Sequence, residues 1–483
     1  NWQRWRMMMS EPKRLHPIAA VIHFIKHLKD LFFPFMVILL FGGNGLSLSF
    51  WEMLFTATFI ILSLVIGVFS WLRFSYRVED GELRIESGVF VRKKRYIPFE
   101  RIQSLDFSEG IFQRPFGLVK VRVETAGSSG SQDAEAVLTA ISKAEATAIQ
   151  EILTSVKNTG RVETEAIVEK PEWVYKITIS QLLLLASTSG GVGVVISAVI
   201  AFAFQFDELI PYEKVFSELK GFISNGLVFV STMVFLVLLI AWFISVIGTM
   251  IKYADFTIKK VENDLIISRG LLEKRQLTIP LNRVQGILIC ENLIRQPFGL
   301  GSVYLESAGG TANEDHSKAL ILPIMKRDEM ASLLTQLFPD YHFNPTMVPS
   351  PKRALKRYMF RHLVPSFVIV ILSFILFRSW AYLTLLLIPF SVIWAFQTHK
   401  DTGWNLHDLQ LTLTYRGIVK NTIFMKKNRI QTISIRKSFF QQGQALSTVE
   451  ATVKSGLGGS GGTVSDIEEI DSIKIYNWYK HGA

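Results

Sequence analysis

A short motif recurs three times along this chain, at a constant distance from a second feature. It is Pro-Phe-Glu-Arg-Ile-Gln at 98–103, Pro-Leu-Asn-Arg-Val-Gln at 280–285 and Lys-Asn-Arg-Ile-Gln at 427–431. Pro115 and Pro297, each opening a Pro-Phe-Gly turn, lie 14 residues after their motif arginine, as does Gly443 in the third copy. The motif arginines are 182 and 146 residues apart, so each repeat is a whole domain and not one turn of a solenoid.

A pair of long apolar runs precedes each copy. Runs of about 20 apolar residues match the hydrocarbon thickness of a bilayer, and 49% of all residues are hydrophobic. The pattern predicts six spans in three hairpins: Leu31–Phe41 with Trp51–Leu72, Leu182–Phe206 with Leu227–Ile251, and Leu363–Phe377 with Trp380–Phe396. The first run is short, so a re-entrant hairpin stays open there as an alternative.

Positive charge marks the ends of these hairpins. Lysine and arginine flank them at positions such as Lys13, Arg73, Lys252 and Arg353, whereas the 207–226 segment inside the second hairpin carries four acids. Positively charged short loops stay cytoplasmic, which predicts a multi-pass inner-membrane protein with its repeated domains in the cytoplasm. The net charge of +11 is then explained by this positive-inside bias and by attraction to anionic lipid. No nucleic-acid partner is expected.

Each repeated domain has the pattern of strands followed by one helix. In the first copy, alternating segments at 74–78, 82–86, 89–91, 101–107, 118–124 and 136–141 precede a helical segment at 143–156. Six or seven antiparallel strands and a helix predict a small β-barrel capped by that helix, with closure removing exposed edges. The Gly-rich segment 455–462 is predicted to be a hairpin loop, because no Gly-Lys-Ser/Thr follows it.

Together, the two-span hairpin, the Pro-x-x-Arg-Ile/Val-Gln motif and the Pro-Phe-Gly turn resemble the bacterial PH-like membrane-flanked domain family, and the three copies resemble its YdbT-type members. The resemblance implies α-helical membrane hairpins plus all-β PH-like barrels, each with a C-terminal helix. Hairpins are expected at 15–72, 175–252 and 355–398, and PH-like domains at 73–158, 253–340 and 399–483, the last with its closing helix truncated. The third copy departs from the family pattern where Gly443-Gln-Ala replaces Pro-Phe-Gly.

Two groups of residues are candidate contact sites. The first is the recurring motif set, comprising Arg101, Gln103, Pro115, Phe116, Gly117, Arg283, Gln285, Pro297, Phe298, Gly299, Arg429 and Gln431. Arginine and glutamine two apart would share one face of a strand, either for a contact with lipid or a neighbouring domain, or for a structural tie to backbone carbonyls. The second is the basic run Arg92, Lys93, Lys94 and Arg95, expected on a hairpin that contacts anionic lipid.

The sequence offers no pattern typical of catalysis. There is no Ser/His/Asp grouping. His23 and His27 have the four-residue spacing of a two-histidine metal pair, but no thiol and no glutamate of a His-Glu-x-x-His pattern accompanies them, and a juxtamembrane amphipathic helix explains them better. The single cysteine, Cys290, lies in an apolar segment that favours an inert thiol. The prediction is therefore a non-enzymatic membrane scaffold without a cofactor. The resemblance implies a smaller two-span PH-like partner and a role in envelope defence against membrane-active peptides. A lipid-handling or export conduit formed by the PH-like domains is the alternative.

Overall fold

The computed structural model describes residues 11–26, 28, 50–89, 91–125, 136–158, 173–189, 226–307, 318–377, 381–455 and 458–480. The chain forms two compact units, one built mainly from residues before 279 and the other mainly from those after 278. Both units combine antiparallel sheets with helices.

Among its described residues, the first unit contains eleven strands, four helices with defined bounds and a further helical stretch at residues 18–26. The strands are β1 Lys13–Arg14, β2 Ser75–Glu79, β3 Glu82–Ser87, β4 Lys93–Pro98, β5 Ile102–Glu109, β6 Leu118–Thr125, β7 Ala136–Ser142, β8 Trp173–Lys176, β9 Thr257–Val261, β10 Asp264–Arg269 and β11 Lys274–Pro280. The helices are α1 Phe50–Leu72, α2 Lys143–Asn158, α3 Ile179–Ser187 and α4 Gly226–Tyr253.

The second unit begins with the later strands of copy two and continues through copy three. Its strands are β12 Val284–Glu291, β13 Leu300–Ser307, β14 Lys318–Lys326, β15 Val348–Pro349, β16 Gly403–His407, β17 Gln410–Arg416, β18 Lys420–Lys426, β19 Ile430–Arg436, β20 Leu446–Ser455 and β21 Gly458–Glu468. Its helices are α5 Arg327–Leu337, α6 Leu355–Phe377, α7 Leu387–Lys400, α8 Phe439–Gln442 and α9 Glu469–Lys480, and a 3₁₀ segment Ala381–Leu386 precedes α7.

Local chemistry explains where these elements start and turn. Asp80 and Gly81 have φ values of 53° and 74°, which is the left-handed pair that a two-residue hairpin between β2 and β3 requires. Helix α2 begins at a capping box, because the Glu145 amide donates to the Ser142 hydroxyl at 3.2 Å and the Ser142 amide donates back to the Glu145 carboxylate at 3.3 Å.

Consecutive copies share their sheets. We call the strands before each motif arginine the first half-sheet of that copy and those after it the second half-sheet. The second half-sheet of copy one (β5–β7) pairs through β5 with β11 of copy two's first half-sheet, giving the order β7-β6-β5-β11-β10-β9-β8. In the second unit β12 pairs with β18 in the same way, giving β14-β13-β12-β18-β17-β16-β15. The edges that we expected barrel closure to remove are covered here by the next copy.

The cores of copies one and three each join two half-sheets and a helix. In copy one, Leu83 of β3, Val121 of β6 and Ile149 of α2 belong to one fully buried cluster. In copy three, the buried cluster includes residues of β17, β20 and α9, and also Leu288 from β12 of copy two. These are PH-like units of two packed half-sheets with a capping helix, as predicted, and Leu288 of copy two also joins the core of copy three.

Membrane-length helices lie at the predicted places. Three helices among the described residues are long and apolar enough to cross a bilayer: Phe235–Tyr253, Lys352–Leu376 and Ala381–Lys400. Helix α1 covers the predicted run 51–72, the run 31–41 lies outside the described residues, and the run 182–206 is described only up to residue 189.

A short strand fastens the base of each predicted hairpin. Strand β1 precedes the first hairpin and pairs with β2 after it; β8 pairs with β9 and β15 with β16 in the same way. Because the strand before a hairpin pairs with the strand after it, each hairpin leaves and returns to its domain at one place.

The closing helix of copy three is present as α9, with 12 residues against 16 in α2 and 11 in α5, and its truncation stays a prediction. Two expectations for the strands were wrong. The third strand of copy one begins at Lys93 and not at Val89. The glycine-rich segment is mostly strand, because Ser455 pairs with Gly458 and the following glycines continue in β21.

Candidate functional site

The recurring Arg-x-Gln motif forms the same turn in all three copies. A 3₁₀ turn ends at the arginine, over Phe99–Arg101, Leu281–Arg283 and Lys427–Arg429. The strand that follows has a β-bulge around the glutamine position, where the pairing register shifts between residues 102 and 104, 284 and 286, and 430 and 432. The expectation that arginine and glutamine share one strand face was therefore wrong, because the arginine precedes the strand and the bulge interrupts its alternation.

The motif side chains make different contacts in the three copies. Gln285 is buried and its Nε2 donates to the Arg283 carbonyl at 3.0 Å, which ties the bulge to the turn. Arg429 donates from Nη2 to the Asn282 carbonyl at 2.7 Å, so it joins copy three to the motif turn of copy two. Arg101 and Gln431 are exposed, and the Gln103 side chain lies outside the described residues. The contacts that are seen are ties to backbone carbonyls.

The Pro-Phe-Gly sequence is a second 3₁₀ turn, over Arg114–Phe116 and Gln296–Phe298. The glycine that ends it is left-handed, with φ of 63° at Gly117 and 65° at Gly299, a conformation that costs other residues energy. In copy three the short helix α8 replaces this turn, and Gly443 has a right-handed φ of −63°. The departure read from the sequence is thus a real change of loop conformation.

A buried polar side chain, 12 residues after each motif arginine, anchors the loop that carries this turn. Gln113 donates to the Thr139 carbonyl of β7 at 2.6 Å, and Arg295 donates to the Ser302 hydroxyl at 2.8 Å. Gln441 donates to the Asp466 carboxylate of β21 at 2.9 Å. Each loop is therefore held by a satisfied buried group.

The loops carry exposed apolar side chains that the sequence reasoning missed. We call these residues the apolar tips; they are Ile111, Phe112 and Phe116 in copy one, Leu293, Ile294 and Phe298 in copy two, and Phe439 and Phe440 in copy three. Phe439 and Phe440 are 83% and 73% exposed. The available signal was an apolar pair directly before the anchoring residue in every copy.

Hydrogen bonds connect the apolar-tip loop of copy one to the ends of membrane helices. Arg114 donates to the Leu271 carbonyl at 2.5 Å, and the Leu271 amide donates to the carbonyl of Ile251 in the last turn of α4 at 3.0 Å. The Phe116 ring also lies 5.8 Å from the ring of His16, which precedes the first hairpin.

The second unit has equivalent connections. Gln296 accepts a hydrogen bond from Arg416, whose Nε contacts the carboxylate of Asp401 at 2.5 Å, and Asp401 caps the end of α7. In copy three, Arg357 of α6 donates to the Ser438 hydroxyl at 3.4 Å. All three loops therefore lie where a membrane helix meets its domain.

The basic run lies on the hairpin that β3 and β4 form, as expected, and most of it is on the second strand. Lys93, Lys94 and Arg95 belong to β4, which is the last strand of the sheet β1-β2-β3-β4. Arg92 pairs with Glu86, and Lys94 lies 3.5 Å from the same carboxylate. Contact of this run with anionic lipid stays a prediction.

Three features of the described residues bear on catalysis: the thiol of Cys290, the potential metal ligands and one cavity. Burial raises the pKa of Cys290 to about 12, and its thiol donates to Asn421 Oδ1 at 3.2 Å, in agreement with an inert thiol. No group of three potential metal ligands occurs among the described residues. A cavity of about 180 Å³ beside Phe343 and Phe424 is below the usual ligand-pocket range of roughly 300–1,000 Å³.

Comparison with known proteins gives the family. The bacterial PH domain model matches residues 31–157, 210–340 and 363–483. The chain is 37% identical over 491 residues to the UPF0699 transmembrane protein YdbT of Bacillus subtilis (strain 168), covering 98% of this chain and 99% of that protein. With three matches on one chain and helices long enough to span a bilayer, this is a transmembrane protein with repeated bacterial PH domains, and it belongs to the bacterial PH domain family.

Proposed function

We propose that this protein is a non-enzymatic membrane scaffold whose PH-like domains serve protein assembly. One observation carries the proposal: strand pairing joins each copy to the next, through β5 with β11 and β12 with β18. A PH-like half-sheet in this chain is thus a surface that binds another PH-like half-sheet. The proposal assigns no catalytic step to any copy.

The domains face the cytoplasm in this proposal. Basic residues stand at the described hairpin bases, among them Lys13, Arg73, Lys252 and Arg357, and such residues favour the cytoplasmic side. Asp408→Cys provides a test, because position 408 is in an exposed turn of copy three and Cys290 is half-buried. A membrane-impermeant maleimide should label this variant only after the cells are opened, and labelling of intact cells would refute the orientation.

The apolar tips contact the lipid interface in this proposal. They lie at the membrane ends of helices, and inserting one phenylalanine is worth roughly 1.5–3 kcal/mol. A spin-labelled lipid quenches nearby fluorophores, so a fluorophore attached at Phe440→Cys should be quenched strongly by lipid labelled near the headgroup. The matched site is Lys454→Cys, exposed on β20 of the same domain. Equal quenching at the two sites would contradict membrane contact.

We infer that the partner is a smaller membrane-flanked PH-like polypeptide and that the assembly acts in envelope defence; the family resemblance supports both. Native purification of the full chain should recover a second, two-span PH-like polypeptide in fixed stoichiometry. Cells that lack the protein should be more susceptible to a membrane-active peptide, so a lower concentration of the peptide should stop their growth. Recovery of the chain alone would refute the partner, and unchanged susceptibility would refute the defence role.

A further inference from the structure

The two shared sheets are built in the same register. Glu109 faces Lys274 across β5 and β11, and Glu291 faces Lys420 across β12 and β18. Each acid lies eight residues after its motif arginine and each lysine nine residues before the next one. In the second unit the Lys420 Nζ is 3.4 Å from the Glu291 carboxylate, and both side chains are largely buried. An acid and a base at these positions therefore mark a junction between copies.

One half-sheet of each type is left over. Three copies have three first and three second half-sheets, and two junctions use two of each. Within the described residues, β4 of copy one pairs only with β3, and β19 of copy three pairs only with β20. An unpaired edge strand is a template for another strand.

The edge of β4 shows the surface that a junction would cover. Tyr96 lies five residues before its motif arginine, and Phe424 holds the same position in β18. Tyr96 is 54% exposed, whereas Phe424, paired with β12, is 1% exposed. Arg92 stands at the junction position that Lys274 and Lys420 occupy.

Charge argues against a second copy of this chain at that edge. In the shared register, β19 of another copy would place Lys437 opposite Arg92 and Arg436 opposite Lys93. Like charges directly opposite one another destabilise a strand pair. The two edges therefore carry side chains of the same charge, which disfavours pairing between two copies of this chain.

We propose that β4 binds, by antiparallel strand addition, the edge strand of a second half-sheet from a different PH-like polypeptide. That strand carries a carboxylate opposite Arg92, as Glu109 and Glu291 do opposite their lysines. This inference rests on the proposed assembly function and gives it a location, a register and a charge.

The test compares full-length variants purified from native membranes. Arg92→Glu with Lys93→Glu should lower recovery of the PH-like partner about tenfold, since opposed like charges replace attractive pairs. Tyr96→Ser should lower it several-fold without changing charge. Lys259→Glu is the matched control, because Lys259 is exposed on β9, which is paired on both sides, and it should leave recovery unchanged.

The charge-reversal variant makes a second prediction. Its β4 would now match the basic end of β19, so the purified variant should form end-to-end dimers that crosslink between residues 92 and 437, and the wild type should not. Hydrogen exchange of β2 and β3, unchanged from wild type, would show that the domain is folded.

The outcomes separate the two proposals. If wild-type chain brings no PH-like partner, the assembly function itself is wrong. If the partner is recovered equally with the reversed and wild-type chains, assembly is real but β4 is not its site. If the reversed chain keeps the partner but no longer binds vesicles containing phosphatidylglycerol, the basic run is a lipid contact and the inference is overturned. A crosslink between residues 92 and 437 in the wild type would also overturn it, because the occupant of β4 would then be a second copy of this chain.

Discussion

Asp466→Asn should loosen the attachment of the third PH-like domain to the membrane helix α6. Asp466 is fully buried in β21, and its carboxylate contacts Arg357 Nε at 2.6 Å and Arg361 Nη2 at 2.7 Å, both on α6. Gln441 donates to the same carboxylate at 2.9 Å. This one side chain therefore connects the domain, the apolar-tip loop and the helix.

The magnitude follows from these contacts. Asparagine keeps one carbonyl oxygen, so at least one charged hydrogen bond is lost, at about 1.5–3 kcal/mol, and its amide then faces a guanidinium. The Arg361 side chain is 46% exposed and regains water, whereas that of Arg357 is 17% exposed and does not. The free energy that holds the third domain to α6 should fall by ~3 kcal/mol, which is the lower end of the range for breaking a buried ion pair.

Hydrogen exchange measured by mass spectrometry gives the readout on the full-length protein. Amides of β21 and of the first turns of α6 should exchange about a hundredfold faster, the equivalent of ~3 kcal/mol. Asp408→Asn is the control, because Asp408 also has a positive φ, 47° against 58° at Asp466, but is exposed. Equal exchange in the two variants would refute the idea that this carboxylate holds helix and domain together.

Three further predictions test other parts of the structure. Since burial raises the pKa of Cys290 to about 12, alkylation at pH 8 should be slow until denaturant opens β12 from β18; fast native labelling would contradict that junction. Burial, together with the charge of Glu124, raises the pKa of Asp106. The folded protein therefore binds a proton at Asp106 more tightly than the unfolded chain does, and wild-type stability should fall as the pH rises above the ordinary aspartate range. Asp106→Asn should remove this part of the pH dependence of the melting temperature, and an unchanged profile would contradict it. Gly462→Ala should cost about 1–3 kcal/mol by overpacking, because a Cβ there would lie 2.9 Å from two side chains; Gly443→Ala, in open space, should be near neutral, and equal melting temperatures would contradict the close approach.

The sequence by itself determined the repeated unit. Alternating apolar residues and Asp-Gly turns specify strands locally. Long apolar runs specify membrane helices because about 20 apolar residues in a helix match the hydrocarbon thickness of a bilayer. The constant offset from motif arginine to the Pro115 and Pro297 turns also survives in the structure, as two 3₁₀ turns separated by one strand.

Only the tertiary structure decided which strands pair across copies. Backbone hydrogen bonding is the same for any edge strand, so β5 could close on its own copy or pair with β11, and periodicity does not distinguish these partners. The role of Asp466 and the need for glycine at 462 were hidden for the same reason, since their partners lie about 100 and about 40 residues away along the chain. Long-range packing selects among locally equivalent pairings, and in the described residues it pairs β5 with β11 and β12 with β18.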